Sequence, residues 1–122
     1  MALIPTLTIK DTTTFSDEIN FSVTDSLAVT TPSQSLTSVA IAESAYATMF
    51  ADSGANGSVY IFVKNTNTSG TYQADLRTSA GVVFGTLYPG EFAFFPADTN
   101  QGVEAYAVGG GVTIEYAYWT KG

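Results

Sequence analysis

Apolar and polar residues alternate along most of this chain with a period of two, the spacing that puts successive side chains on opposite faces of an extended strand. In Leu3 to Ile9, Leu7 and Ile9 share a face, and Pro5 marks an edge strand or an arm instead of a central strand. Glu18 to Thr24 sets Ile19, Phe21 and Val23 against Asn20, Ser22 and Thr24, the pattern of a half-buried strand. A short apolar piece, Leu27 to Val29, leads into the polar loop Thr30-Thr31-Pro32-Ser33-Gln34-Ser35. Leu36 to Asp52 fits helical spacing through Ala42, Ala45, Tyr46, Met49 and Phe50, and strand spacing through Val39, Ile41, Glu43 and Ala45. Strands are preferred, because Val39, Ile41 and the nearby threonines resist helix and neither end has a strong cap.

The turn-rich Asp52-Ser53-Gly54-Ala55-Asn56-Gly57 precedes a strand at Val59 to Lys64 and reads as a tight hairpin loop. Further breaks fall at Asn65 to Gly70, Ser79-Ala80-Gly81, Tyr88-Pro89-Gly90-Glu91, Pro96 to Gly102 and Gly109-Gly110-Gly111, which is hairpin spacing. Pro89 then Gly90 suits a type II turn joining Val82 to Leu87 with Glu91 to Phe95. Short strands at this spacing, with no helical pattern between them, predict an all-β fold: an antiparallel β-sandwich of jelly-roll kind. Residues 1–122 read as a single β domain, with 1–17 an N-terminal arm or edge strand.

Val59 to Val63, Val82 to Phe84 and Phe92 to Phe95 are apolar on both faces. A two-sheet sandwich buries one face of each sheet, so the second face needs another cover, and a partner subunit is the simplest one. In the last strand Val112, Ile114, Tyr116 and Tyr118 form one row, and Glu115, Ala117 and Trp119 the other. The candidate interface residues are Leu7, Ile9, Tyr60, Phe62, Phe92, Phe94, Tyr116, Tyr118 and Trp119.

Composition narrows the chemistry. Hydrophobic residues are 45% of the chain and charged residues 12%, so the surface is neutral and rich in hydroxyls. The 122 residues contain no histidine and no cysteine, which excludes Ser-His-Asp and Cys-His catalysis, thiolate metal sites and disulfides. A net charge of −7, with basic residues only at Lys10, Lys64, Arg77 and Lys121, argues against direct nucleic-acid contact. No apolar run approaches a membrane span, and Met1 to Pro5 lacks the features of a secretory signal, so synthesis in a cytoplasm is expected.

Lys64, at a strand end, reads as solvated and not as a catalytic base. Asp17, Glu18, Asp25, Glu91, Asp98, Glu104 and Glu115 could supply a carboxylate pair for glycoside hydrolysis, but they sit at strand ends or alternate with apolar residues, as solvent-facing acids do. The 52–57 loop fails as a calcium loop, with Gly54 at its third position and Val63 at its twelfth. Gly109-Gly110-Gly111 has no adjoining lysine and reads as a turn, not a phosphate cradle. Asn56-Gly57-Ser58 and Asn67-Thr68-Ser69 match glycosylation sequons and are read as turns. Tyr106, Tyr116, Tyr118 and Trp119 could form a platform for a glycan, against which stands the preferred reading of core or subunit interface. No cofactor or metal is expected.

Three phrases carry a resemblance: Val59-Tyr60-Ile61-Phe62-Val63-Lys64-Asn65-Thr66, then Leu87-Tyr88-Pro89-Gly90-Glu91-Phe92-Ala93-Phe94-Phe95-Pro96, and Val112 to Trp119 ending in Glu115-Tyr116-Ala117-Tyr118-Trp119. Over roughly residues 55 to 120 the chain resembles small virion structural proteins of tailed bacteriophages, in particular capsid decoration or cement proteins and related head-fibre or tail components. The resemblance implies a non-enzymatic subunit, a homotrimer, that docks on the major capsid protein from outside the head and strengthens the shell. It also implies synthesis in the host cytoplasm and residence on the virion exterior, where net negative charge fits better than next to packaged DNA. A tail, baseplate or fibre-tip component that binds host glycans through Tyr116, Tyr118 or Trp119 is the alternative.

Overall fold

The computed structural model describes residues 2–10, 20–31, 36–68 and 70–121. Residues 11–17 of the expected arm, the acidic Asp17 and Glu18, the strand residue Ile19, the loop centre 32–35 and Ser69 of the second sequon lie outside them. The strands are β1 (Ala2–Leu3), β2 (Thr6–Lys10), β3 (Asn20–Thr24), β4 (Leu27–Thr31), β5 (Thr37–Ile41) and β6 (Tyr46–Phe50), followed by β7 (Ser58–Asn65), β8 (Gln73–Arg77), β9 (Val83–Leu87), β10 (Phe92–Asp98), β11 (Val103–Val108) and β12 (Val112–Lys121). The ambiguous segment is two strands. Its turn passes through Ser44 at φ 60°, fixed by hydrogen bonds from Ser44 N to Ala107 O (3.0 Å) and from Ala45 N to Ala42 O (3.0 Å).

Strands β5 to β12 make two facing antiparallel sheets, ordered β5-β12-β7-β10 and β6-β11-β8-β9. The chain changes sheet at every connection except β8 to β9, and its first and last strands of this set lie side by side, which is jelly-roll order. The fold is therefore an all-β antiparallel sandwich, as the alternation predicts. The hairpin reading of its turns needs correction. Pro89-Gly90 does make the expected tight turn, with Gly90 at φ 86° and Glu91 N donating to Tyr88 O at 3.0 Å, but it carries the chain from one sheet to the other. The 52–57 loop and Gly109 to Gly111 do the same. A turn residue reports a local reversal and not which strand the chain meets next.

The core lies between the sheets. Val59, Ile61 and Val63 of β7 and Val112 and Ile114 of β12 face Ala74 and Leu76 of β8 and Val103, Ala105 and Ala107 of β11, with Met49 and Leu87 beside them. Branched residues on the larger sheet's central strands oppose alanines on the other, large against small across the layer. At one end of this core Gly102, at φ +69°, is pressed against the chain: a Cβ there would stand 2.9 Å from Asp52 N and 3.1 Å from Phe50 O. Both neighbours are backbone and cannot swing aside. Gly102→Ala is expected to cost about 2 to 4 kcal/mol from left-handed strain plus collision, read as a lowered urea midpoint at unchanged slope.

Residues 2–10 and 20–31 are appended to this body. β4 pairs with the far end of β12, Val29 opposite Lys121 and Thr31 opposite Thr120, and β1 pairs with β4. Between them β2 and β3 form a separate two-stranded ribbon, every residue of which is exposed. The half-buried strand expected at Glu18 to Thr24 is thus corrected over its described residues: the alternation is real, but Asn20–Thr24 are all exposed.

Candidate functional site

The outer face of the larger sheet collects the aromatic residues that the core does not take. On β10 the small Ala93 and Ala97 point inward with Phe95, and Phe92, Phe94 and Pro96 point outward. Proline is tolerated because β10 is an edge strand. Register sets Phe94 beside Phe62 and Ala117, and Pro96 beside Tyr60 and Trp119. The rings touch: Tyr60 and Phe94 stack with centroids 6.5 Å apart, and Phe62 lies 6.5 Å from Phe92. This edge strand spends two of its three phenylalanines on the outside, leaving Phe92 61% exposed. A solitary sandwich gains nothing from that arrangement.

The β2–β3 ribbon stands over this face. Leu7, Ile9, Phe21 and Val23 form one side of the ribbon, with Leu7 opposite Val23 and Ile9 opposite Phe21. The other side is a hydroxyl row, Thr6 Oγ1 sharing a hydrogen bond with Thr24 Oγ1 (2.9 Å) and Thr8 Oγ1 donating to Ser22 Oγ (3.2 Å). Asp25 N donates to Pro5 O (3.3 Å) at the ribbon's base. Between ribbon and sheet lies an apolar cleft of about 650 Å³, walled by Leu7 and Val23 on one side and Phe62, Phe92 and Phe94 on the other, with Tyr60 and Leu27 also lining it. Tyr60 is nevertheless buried, while the phenylalanines are not.

Of the interface residues expected from sequence, Leu7, Tyr60, Phe62, Phe92 and Phe94 come together around this cleft. Ile9 extends the ribbon wall and Trp119 extends the sheet face. Tyr116 and Tyr118 are a correction. They share a row with Ile114, which is fully buried, so their rings turn into the sandwich, where Tyr118 meets Phe50 edge-on at 5.4 Å. The same phase dissolves the glycan platform: Tyr116 and Tyr118 face inward, Trp119 faces outward from the larger sheet, and Tyr106 stands on the outer side of the other sheet. Phe21, Val23, Pro5 and Leu27 were missing from the sequence reading of the interface. The signal for Phe21 and Val23 was present, since their row matches that of Leu7 and Ile9.

The polar side chains are engaged in structure. Asp25 Oδ1 accepts from Ser26 N (2.7 Å), Glu91 Oε1 from Tyr88 N (2.7 Å), Asp98 Oδ1 from Asn100 N (2.9 Å), and Asp52 Oδ2 from Ser79 Oγ (3.3 Å). Lys64 is exposed, with Glu115 as its cross-strand neighbour. On the outer side of the smaller sheet Glu104 is ion-paired with Arg77, whose guanidinium also lies over Tyr106 at 4.5 Å and Tyr46 at 5.2 Å from the ring centroids. Among the described residues no three acidic side chains gather into a metal-binding group. Asn65, assigned by sequence to a loop, is fully buried. Its Nδ2 donates to Leu87 O (3.0 Å) and Tyr72 O (3.4 Å), and its Oδ1 accepts from Asn67 N (3.1 Å).

No family model matches the chain, and no curated protein matches it. Among solved structures it is similar to a chain of Bacillus endospore appendages, described as forming a novel family of disulfide-linked pili. That likeness has a TM-score of 0.43 at 15% identity, over 78% of this chain and 95% of the other.

Proposed function

We propose that this chain is a non-enzymatic structural subunit that works by assembly, and specifically a decoration protein that oligomerises, as a trimer, and docks on the major capsid protein from the outside of a phage head. The single observation that supports the reading most is the uncovered aromatic face of β7, β10 and β12 beneath an uncovered apolar ribbon. Such surfaces on a small domain mark contacts with other macromolecules. Among the described residues, the carboxylates of Asp25, Asp52, Glu91 and Asp98 are tied into turns and that of Glu104 to Arg77, which suits a scaffold. A jelly roll serves capsid and lectin domains alike, so the fold by itself does not choose between them. The mostly apolar cleft, whose lining includes Asp25, suits contacts that depend little on salt, and many copies on a lattice would add their small individual contacts.

The reading is tested by the mass of the purified chain in solution and by its binding to intact virions and to emptied heads. The expected result is a mass of three chains and saturable binding to heads that persists at 1 M salt, where exposed ion pairs are screened within about 3 Å. A mass of one chain with no affinity for heads overturns it. Binding confined to tails or baseplates transfers the protein to the alternative virion position.

A further inference from the structure

The ribbon and the cleft are each incomplete, and each supplies what the other lacks. Two-stranded hairpins without a packed face are marginal in water. Leu7 and Val23 lie over the cleft of their own chain, but the outer pair, Ile9 and Phe21, does not line it and remains 41% and 46% exposed. Below the ribbon, Leu3 pairs with Leu27, and β4 is bound to β12, so the base is anchored while the outer end stands clear of its own body. We propose that the cleft receives the β2–β3 ribbon of a second copy, each chain giving its arm to a neighbour and accepting one in return. This rests on the self-association within the function proposed above, not on the virion.

Two observations favour that occupant over a small apolar molecule. A small molecule could fill the cleft but would leave Ile9 and Phe21 bare, whereas exchange covers both surfaces at once. The second observation is area. Leu7 (44%), Ile9, Phe21, Val23 (54%), Phe92 (61%) and Phe94 (39%) expose about 500 Å² of side chain per copy, taking roughly 200 Å² for a whole aromatic group and somewhat less for the others. A reciprocal pair removes about 1,000 Å² in its single interface, the size at which specific association begins, whereas a ring of three removes about 500 Å² at each of its three contacts.

The chain has no cysteine, so single cysteines report contacts cleanly. Ile9→Cys with one tag and Phe94→Cys with another are co-expressed and mildly oxidised, with Ile9→Cys plus Phe84→Cys as the control, Phe84 lying on edge strand β9 of the other sheet. The expected result is a disulfide between differently tagged chains, at least about fivefold above the control. Phe21→Asp should weaken self-association at least about tenfold, a charge now being seated against apolar rings, while the unfolding midpoint of the body stays put because Phe21 is exposed. A link found only within one chain of the Ile9→Cys/Phe94→Cys double variant shows the arm closing on its own cleft and overturns the exchange. So does an oligomer with no link above control, or one indifferent to Phe21→Asp, although self-assembly then stands. A monomer without links removes both.

Discussion

Replacing Asn65 by aspartate is expected to destabilise the fold by about 3 kcal/mol at pH 7 and by distinctly less at pH 4. The buried amide faces the carbonyl oxygens of Leu87 and Tyr72 and accepts only from Asn67 N. A carboxylate cannot donate to those carbonyls and loses its hydration, so its folded pKa lies above the unfolded value of about 3.9. The folded state then binds more protons than the unfolded state, and stability falls as pH rises between the two pKa values. Below about pH 3.9 the acid is neutral in both states and its hydroxyl can still donate to Leu87 O. Urea unfolding at pH 4 and pH 7, beside the unaltered chain, measures the difference. An equal deficit at both values would count against this account of the site.

Arg77→Met is the second large effect, about 3 kcal/mol, because it leaves Glu104 unpaired with its side chain only 8% exposed. The substitution also removes the guanidinium from between Tyr46 and Tyr106. Glu104→Leu alone costs less, since Arg77 is 20% exposed and can turn toward water. The double variant should recover most of the loss from Arg77→Met, the two positions being direct cross-strand neighbours that couple strongly. Thermal or urea unfolding of the four proteins closes the cycle, and additive losses would show that the pair is not coupled.

What the sequence makes legible follows from what period-two alternation encodes. It assigns residues to rows, and the rows of β7, β10 and β12 are as read. It does not say which row faces the core. For β12 the answer is available, because the row with Val112 and Ile114 has no charge while its opposite holds Glu115, which turns Tyr116 and Tyr118 inward and leaves Trp119 to the outer face. Alternation also says nothing of cover: β3 carries the same pattern as a half-buried strand and is bare. Sheet membership was less legible still. Pro89-Gly90 specifies a tight reversal, but whether β10 pairs with β9 or crosses to β7 is decided by burial of Val59, Ile61 and Val63 between two sheets, a long-range term. Asn65 was hidden for a related reason: an asparagine before a turn looks like the turn's first residue, and only the approach of Leu87 and Tyr72 makes it a buried tie.

The position of β12 between β7 on one side and β5 and β4 on the other has a kinetic meaning. Residues 112–121 complete the larger sheet and also hold the appendage, so neither is finished until the last of these strands has been made and has found partners some fifty to ninety positions earlier. Pairings of such long range are slow to form. Until they do, β7 is paired on one side only, with β10, and the arm has no anchorage. The anchorage of the ribbon therefore waits on β12, while the sheet wall of the cleft, made by β7 and β10, does not.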